Sequence, residues 1–338
     1  MANELTVALV GATGVVGDRL MRIMEERALP VKELRVLATK RSAGKTLTFR
    51  GETLTVQETT HDSFDGADIA FITASTAASE ELCPVARDRG ALAIDDSSAW
   101  RQHPDVPLVV PEINGEDLRK HQGIIATPNC STVPLVLALA PLMRLRTVRR
   151  VIADTYQSTS GAGTAAMLEL REQTSDALAD RPVTIDQFPK QIAFNAIPQV
   201  DVFREDGYTK EEWKMLVESR KILHQEDLAV SATCVRIPTM VSHAVAVHVD
   251  FDAPLSVSEA RTAWESQPGL TLLDDPLSGS YPTPLDCAAQ DATFVGRARQ
   301  DVSNPNGLAF WCVTDNLRKG AALNMVQMVE WMQAHDCL

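Results

Sequence analysis

Apolar and polar positions along this 338-residue chain follow two periods in turn. A short apolar run at 6–10 leads into Gly11-Ala-Thr-Gly14-Val-Val-Gly17 and then into apolar residues at helical spacing to about Glu26, which predicts strand, tight turn and amphipathic helix. Further strands are expected at 33–38, 68–73, 92–94 and 123–126, with a hairpin over 47–57 around Arg50-Gly51-Glu52 and a helix running to about Arg89. Strands alternating with helices in this way predict βαβ units and a parallel sheet. An apolar helix over 133–145 follows, and from there the rhythm weakens. Longer β-prone runs stand at 148–156, 230–236, 242–251 and 307–313, with short ones at 270–273 and 294–299 and helices over 165–178, 209–223 and 257–267. The stretch 182–206 is loop-rich, with Pro182, Pro189 and Pro198, and a last helix is expected from Asp315 to about Gln333. The predicted fold class is α/β: a Rossmann-like dinucleotide-binding domain over 1–130, completed by the C-terminal helix 316–338, and an α+β domain over 131–315.

Length supports the two-domain division, because 338 residues exceed a comfortable single core. Hydrophobic content of 45% and charged content of 23% are those of a soluble globular protein. Met1-Ala2-Asn3-Glu4 has neither a basic nor an apolar leader segment, and no apolar run approaches the roughly 20 residues that span a bilayer, so a cytoplasmic protein without a membrane partner is expected. Six scattered cysteines, with no Cys-x-x-Cys pair, predict thiols rather than disulfides and no metal site. A net charge of −13 argues against nucleic acid as a partner. Any anionic ligand must therefore be held by a few locally placed Arg and Lys residues.

Several stretches carry candidate chemistry. In the first glycine turn, Gly11 permits the tight bend, Gly14 lets backbone approach a pyrophosphate and Gly17 lets helix pack close on strand. The second strand ends in Thr39-Lys40-Arg41-Ser42-Ala43-Gly44, basic where an NAD enzyme places an acid for the ribose, which favours NADP. Arg101 follows a strand end and is a candidate anion ligand. Cys130 in Pro128-Asn129-Cys130-Ser131-Thr132 stands where strand gives way to helix, a position that favours thiolate over thiol and marks a candidate nucleophile. Gly161 and Gly163 mark a second close backbone approach, and Glu211 and Lys214 share a helix face behind a Thr209–Glu212 capping box. Arg236 ends one β run and His243 begins the next.

Six ordered stretches, Gly11–Gly17, Pro128–Thr132, Thr155–Gly163, Ile192–Gln199, Arg236-Ile-Pro and Asp315–Gly320, together resemble the aspartate-semialdehyde dehydrogenase family, and the similarity spans essentially the whole chain. The resemblance implies that Cys130 is the acyl-accepting nucleophile, His243 the general acid/base and Gln157 the group that orients substrate. It implies further that Arg101 and Lys214 hold the phosphoryl group with Asn129 nearby, that Arg236 takes the substrate α-carboxylate and that Glu211 takes its ammonium. Thr13, Gly14, Val15, Val16, Arg41, Ser42, Ser160, Gly161 and Asn316, with Gly11, would line the NADP site. The second domain would serve catalysis and dimerisation in a homodimer or homotetramer. The implied reaction is NADPH-dependent reductive dephosphorylation of L-4-aspartyl phosphate through a cysteine thioester, releasing inorganic phosphate, in biosynthesis of lysine, methionine and threonine. Backbone N–H groups at the helix start beside Cys130 are expected to meet the developing oxyanion. One departure is Ser242, where the family has glycine before the histidine. Two other readings share part of the pattern: a sister acyl-phosphate or acyl-CoA reductase, and a catalytically silent NADP-binding paralogue.

Overall fold

The computed structural model describes residues 4–338; residues 1–3, which carry most of the N-terminal leader reading, lie outside the described residues. In chain order the elements are β1 (Leu5–Val10), α1 (Val15–Glu26), β2 (Val31–Ala38), β3 (Thr46–Phe49), β4 (Glu52–Thr55), β5 (Gln57–Glu58), β6 (Ile69–Ile72), α2 (Thr76–Asp88), β7 (Leu92–Asp95), α3 (Pro111–Asn114) and β8 (Ile124–Ala126). There follow α4 (Thr132–Met143), β9 (Val148–Gln157), α5 (Thr164–Leu178), α6 (Lys210–Leu223), β10 (Val230–Arg236), β11 (His243–Phe251), α7 (Val257–Glu265), β12 (Leu270–Leu272), α8 (Pro284–Cys287), β13 (Thr293–Gln300), β14 (Gly307–Thr314) and α9 (Leu323–Ala334). No described helix is long and apolar enough to cross a membrane.

The chain divides into two compact units, residues to Pro128 with Ala321–Leu338, and Asn129–Gly320. In the first, six parallel strands run in the order β5-β2-β1-β6-β7-β8. The chain moves outward from β1 to β2, then returns to place β6 on the other side of β1, so β1 ends at the reversal where such sheets bind ligands. Strand β6 is buried at all four positions, as a parallel strand covered on both faces must be. Leu20, Ile23 and Met24 of α1 share one core cluster with Leu323, Val326 and Val329 of α9, and Arg27 pairs with Glu330 at 2.7 Å. Helix α9 begins later than its apolar spacing predicts. The Asp315 carboxylate accepts the Leu317 and Arg318 N–H groups, and a π-helical turn at Arg318–Ala322 precedes the α-helix.

The second unit is built on a mixed sheet ordered β10-β9-β11-β14-β13-β12. The pairs β9/β10 and β12/β13 are parallel and the rest antiparallel. Alternation is visible along β9, where Val151, Ala153, Thr155 and Gln157 are buried while Tyr156 faces out. The inner face packs on α4, α6 and α7: Leu135, Leu139, Met215, Val247, Trp264 and Phe310 share a cluster, with the Trp264 ring edge-on to Phe310 and its Nε1 donating to the Ala138 carbonyl at 2.9 Å. Helix α4 is buried from Thr132 to Leu142, which explains why its sequence is apolar all round. On the outer face Tyr156 and Trp311 meet at 5.2 Å between ring centroids. In this division Cys130 and Asn316 both belong to the second unit.

Candidate active site

Strand register assembles the centre of the site. Gln157 closes β9, pairs with Arg236 at the end of the parallel β10, and pairs across the sheet with His243 at the start of the antiparallel β11. Three side chains distant in sequence thus stand side by side at one sheet edge. All three are buried.

Helix α6 ties this edge to the loop that carries Cys130. Its capping box, in which Thr209 Oγ1 accepts from the Glu212 N–H and the Glu212 carboxylate accepts from the Thr209 N–H, fixes where the helix starts. That start sets the next turn. Glu211 Oε1 accepts from Asn129 Nδ2 at 2.9 Å and Gln157 Nε2 at 3.0 Å, and Glu211 Oε2 pairs with Lys214 Nζ at 3.2 Å. The Thr155 hydroxyl donates to Gln157 Oε1, which fixes the orientation of that amide. Burial pushes the Glu211 carboxyl up, but the Lys214 ammonium and the hydrogen bonds from Gln157 and Asn129 outweigh it and hold the group at about 2. Lys214 also reaches Asp201 at 2.8 Å. Two turns along α6, Glu218 Oε2 accepts the Asn129 N–H at 2.7 Å. Glu218 was not apparent from sequence; its only signal there is its position seven residues after Glu211.

Cys130 is half-buried, immediately ahead of α4, with Gly320 packed so closely that a Cβ there would lie 3.0 Å from Cys130 Cβ. The first-turn donors beside it are already used, contrary to expectation. Asn129 Oδ1 accepts the Ser131 N–H, and the Asn129 carbonyl accepts those of Thr132 and Val133. These N–H groups therefore do not serve an oxyanion, because the Asn129 turn consumes them.

His243 is fully buried, and burial followed by the nearby Arg236 charge brings its pKa down to about 3, against smaller opposing effects of Glu211 and the Ser242 backbone. Its Nδ1 accepts the Ser158 N–H at 3.0 Å, while its Nε2 has no hydrogen-bond partner among the described residues. Arg236 Nη1 donates to the Ser158 carbonyl at 2.6 Å. Gly161 fits against both groups: a Cβ there would stand 2.9 Å from His243 Nε2 and 2.9 Å from Arg236 Nη1. Asn316 Oδ1 accepts from the Ser158 and Ser160 hydroxyls and from the Ser242 N–H. Gly161, Ser160 and Asn316, expected beside a cofactor, are thus also woven around the imidazole, and Ser158, at the centre of this web, was missed from sequence.

The first unit holds the remaining candidates. Gly11 is at φ +81, and a Cβ there would collide with the Thr73 backbone, while Gly17 packs on Gly11 and Ala12. Gly14 caps α1 with no side-chain hydrogen bond, a Cβ on it would meet only the Gly11 carbonyl at 3.2 Å, and Thr13 and Gly14 are exposed. Uncapped N–H groups behind an open glycine fit a dinucleotide pyrophosphate, with Val15 and Val16 in the first turn. Past β2, Arg41 is exposed and Ser42 buried, its hydroxyl 3.5 Å from Lys45 Nζ. Arg101 is buried, donating to the Asp96 carbonyl at 2.8 Å. Among the described residues no cluster of His, Cys, Asp and Glu could hold a metal ion.

Comparison with known proteins places this geometry in a class. Residues 6–121 match the family described as semialdehyde dehydrogenase, NAD binding domain, and residues 139–319 match semialdehyde dehydrogenase, dimerisation domain. The chain is therefore an oxidoreductase of the semialdehyde dehydrogenase class, with a nicotinamide-dinucleotide-binding Rossmann unit. Its curated relatives narrow that class. Aspartate-semialdehyde dehydrogenase of Aquifex aeolicus is 48% identical, with 96% of each chain covered, and that of Bacillus subtilis is 46% identical, with 98% of each covered. A crystal structure of aspartate semialdehyde dehydrogenase II from Vibrio cholerae, complexed with ASA, superposes with a TM-score of 0.96 at 40% identity over the full length of both chains. The chain belongs to the aspartate-semialdehyde dehydrogenase family.

Proposed function

We propose that the chain catalyses NADPH-dependent reductive dephosphorylation of L-4-aspartyl phosphate to L-aspartate 4-semialdehyde through a thioester on Cys130, in the pathway to lysine, methionine and threonine. The observation that carries this reading is the register of β9, β10 and β11, which gathers Gln157, Arg236 and His243, together with the Glu211 link from Gln157 to the Cys130 loop. An acyl phosphate has a good leaving group. Sulfur of Cys130 attacks its carbonyl carbon, the carbon–oxygen bond to phosphate breaks, and a thioester remains. The nicotinamide cofactor, when bound, would supply the hydride that takes the thioester to the aldehyde level. Gln157 orients the carbonyl beside sulfur, and His243 acts as the general acid/base at its oxygen. Arg236, anchored by the Ser158 carbonyl, binds the α-carboxylate with its remaining donors. Glu211, with both oxygens engaged, has lone-pair capacity left for the substrate ammonium. Lys214, Asn129 and Arg101 are assigned to the phosphoryl group.

For the cofactor, the basic end of β2 with exposed Arg41 and the Ser42 hydroxyl supports NADP over NAD. Gly11, Thr13, Gly14, Val15 and Val16 are assigned to its pyrophosphate, and Ser160, Gly161 and Asn316 to its nicotinamide end. The second unit is proposed to form the contact of a homodimer or homotetramer.

One assay tests the reaction: phosphate-dependent reduction of NADP with L-aspartate 4-semialdehyde, repeated with NAD, with CoA in place of phosphate, and with Cys130→Ala. Turnover with phosphate and NADP that Cys130→Ala abolishes is expected. Turnover only with CoA would mean the sister reductase, none in the wild type a silent paralogue, and normal turnover in Cys130→Ala would refute the thioester.

A further inference from the structure

Lys214 stands between two carboxylates and lies closer to the one that no step above uses. Its Nζ is 2.8 Å from Asp201 Oδ2 and 3.2 Å from Glu211 Oε2. Three anchors bring Asp201 to this place. Ile197 exchanges backbone hydrogen bonds of 2.8 and 2.9 Å with Arg236, Val200 is buried in the cluster that holds Met215 of α6, and the Val202 carbonyl accepts the N–H of Lys210, the first residue of α6, at 2.9 Å. Between them Asp201 turns left-handed at φ +67, with its Oδ1 accepting the Val202 N–H at 2.8 Å and its Oδ2 on Lys214. A non-glycine residue keeps such a backbone only where its surroundings over-determine it. On the other side of the ammonium, Glu211 Oε1 already accepts from Asn129 and Gln157, which fills its two lone pairs. Only Oε2 has room for a substrate ammonium, and Oε2 is the oxygen that faces Lys214. Two ammonium groups on one carboxylate leave a positive charge uncompensated, where the Glu211 side chain is 6% exposed and that of Lys214 18%. Asp201 supplies the second negative charge, so that each ammonium has one carboxylate.

We infer that Asp201 is a positioning residue that draws the Lys214 ammonium off Glu211, keeps the Glu211 carboxylate for the amino group of the substrate, and so sets the preference for an aminated over a non-aminated aldehyde. This rests on the assignment of Glu211 to the substrate ammonium given above. Without the Asp201 charge, Lys214 closes onto Glu211 as an ordinary i, i+3 pair on α6, and the incoming ammonium meets a neutralised carboxylate. An aldehyde of the same length that lacks the amino group has no stake in Glu211 and is indifferent to the change. The stretch Ile192–Gln199, to which no part of the reaction fell, leads directly into Asp201. Its Ile197 is bonded to the backbone of Arg236, so the residues assigned to the α-carboxylate and to the ammonium are tied to one strip of chain.

The test follows protection of Cys130 against iodoacetamide, read on its own peptide in the full-length protein, because an aldehyde that adds reversibly to the thiol shields it with neither phosphate nor cofactor present. L-Aspartate 4-semialdehyde is compared with 4-oxobutanoate, the same aldehyde without its amino group, and in the wild type the aminated one should protect at the lower concentration. Asp201→Asn keeps the size of the side chain without its charge, and Asp201→Gly accepts the left-handed backbone without strain. In both variants the half-protecting concentration of the aminated aldehyde should rise about fivefold or more, the scale of one charge-assisted contact discounted for a partner whose side chain is 33% exposed, while that of 4-oxobutanoate stays within about twofold. An equal rise for both aldehydes would mean a loosened fold, and no rise for either a bystander ion pair; each overturns the inference. A rise in Asp201→Asn alone would trace the effect to the new amide and not to the lost charge, and overturns it too. No preference of the wild type for the aminated aldehyde would refute the assignment of Glu211 and the inference with it. The selective rise in the variants, found together with an absence of phosphate-dependent turnover in the wild type, would overturn the reaction assigned above while leaving Asp201 its role.

Discussion

At the scale of single residues, Ser242 shows how a side chain and its backbone can disagree. Its φ is +74, its hydroxyl is buried without a partner, and its N–H is held by Asn316 Oδ1 at 2.9 Å. A non-glycine residue held in a left-handed conformation carries about 1–3 kcal/mol of strain, and glycine would relieve it at a smaller cost in chain entropy. Ser242→Gly is therefore expected to raise stability by about 1 kcal/mol, read as a higher urea midpoint with an unchanged slope. A lower midpoint would mean that the hydroxyl has a stabilising role. The departure at 242 was legible in the sequence, but its backbone angle was not, since φ at a residue just ahead of a strand is not encoded by residue type. Ser158 was illegible for a related reason: its bonds to His243 and Arg236 are made by its amide and carbonyl, which every residue type except proline possesses.

At the scale of elements, α6 does more than its sequence pattern announced. The Glu211–Lys214 pair and the Thr209–Glu212 box were readable from spacing alone, because helical geometry brings such residues together wherever the helix lies. Glu218 was not, since its partner is the backbone of Asn129, 89 residues away in sequence. Removing this acceptor leaves a buried donor unpaired. Glu218→Ala is expected to cost about 1–3 kcal/mol and to lower kcat/KM by loosening the turn that carries Cys130, while Glu218→Gln, which keeps an acceptor oxygen, should recover most of both. An alanine variant as stable as the wild type would show that the bond does not hold the loop. The same turn explains the misread helix start of α4: a strand-to-helix junction has uncapped N–H groups by default, and only the folded Asn129 side chain and carbonyl show that they are spent.

At the scale of the whole molecule, two buried groups of the second unit make its stability depend on pH. The His243 pKa falls from 6.5 to about 3 on folding, so the unfolded chain binds the extra proton and stability is lost as pH drops from about 6.5 towards 3. Glu211 falls from 4.5 to about 2, so its contribution is present above pH 4.5 and lost below it, down to about 2. Denaturant midpoints measured between pH 7 and 4 should decline, and His243→Gln should flatten the part of the decline above pH 4.5; an unaltered slope would show that the ring is not held neutral. We propose that the self-association uses the outer face of the second sheet. Tyr156 is 39% exposed and packs with Trp311 there, and light scattering should return at least two chains per particle, with Tyr156→Asp shifting it towards one. A wild-type monomer would remove the proposal, and an unshifted Tyr156→Asp would move the contact elsewhere.

By itself the sequence determined the alternation of strand and helix, the glycine turn after β1, the switch to longer β runs past residue 130, and a short set of residues with chemistry to offer. Those features are local: they follow from hydrophobic period, turn chemistry and residue type over a few positions. Only the tertiary structure decided that Gln157, Arg236 and His243 share one sheet edge, that Glu211 joins them to Asn129, and that the Ser158 N–H meets His243 Nδ1. Those arrangements depend on strand register and on backbone hydrogen bonds between distant segments, and neither leaves a mark in the identity of the residues that make them.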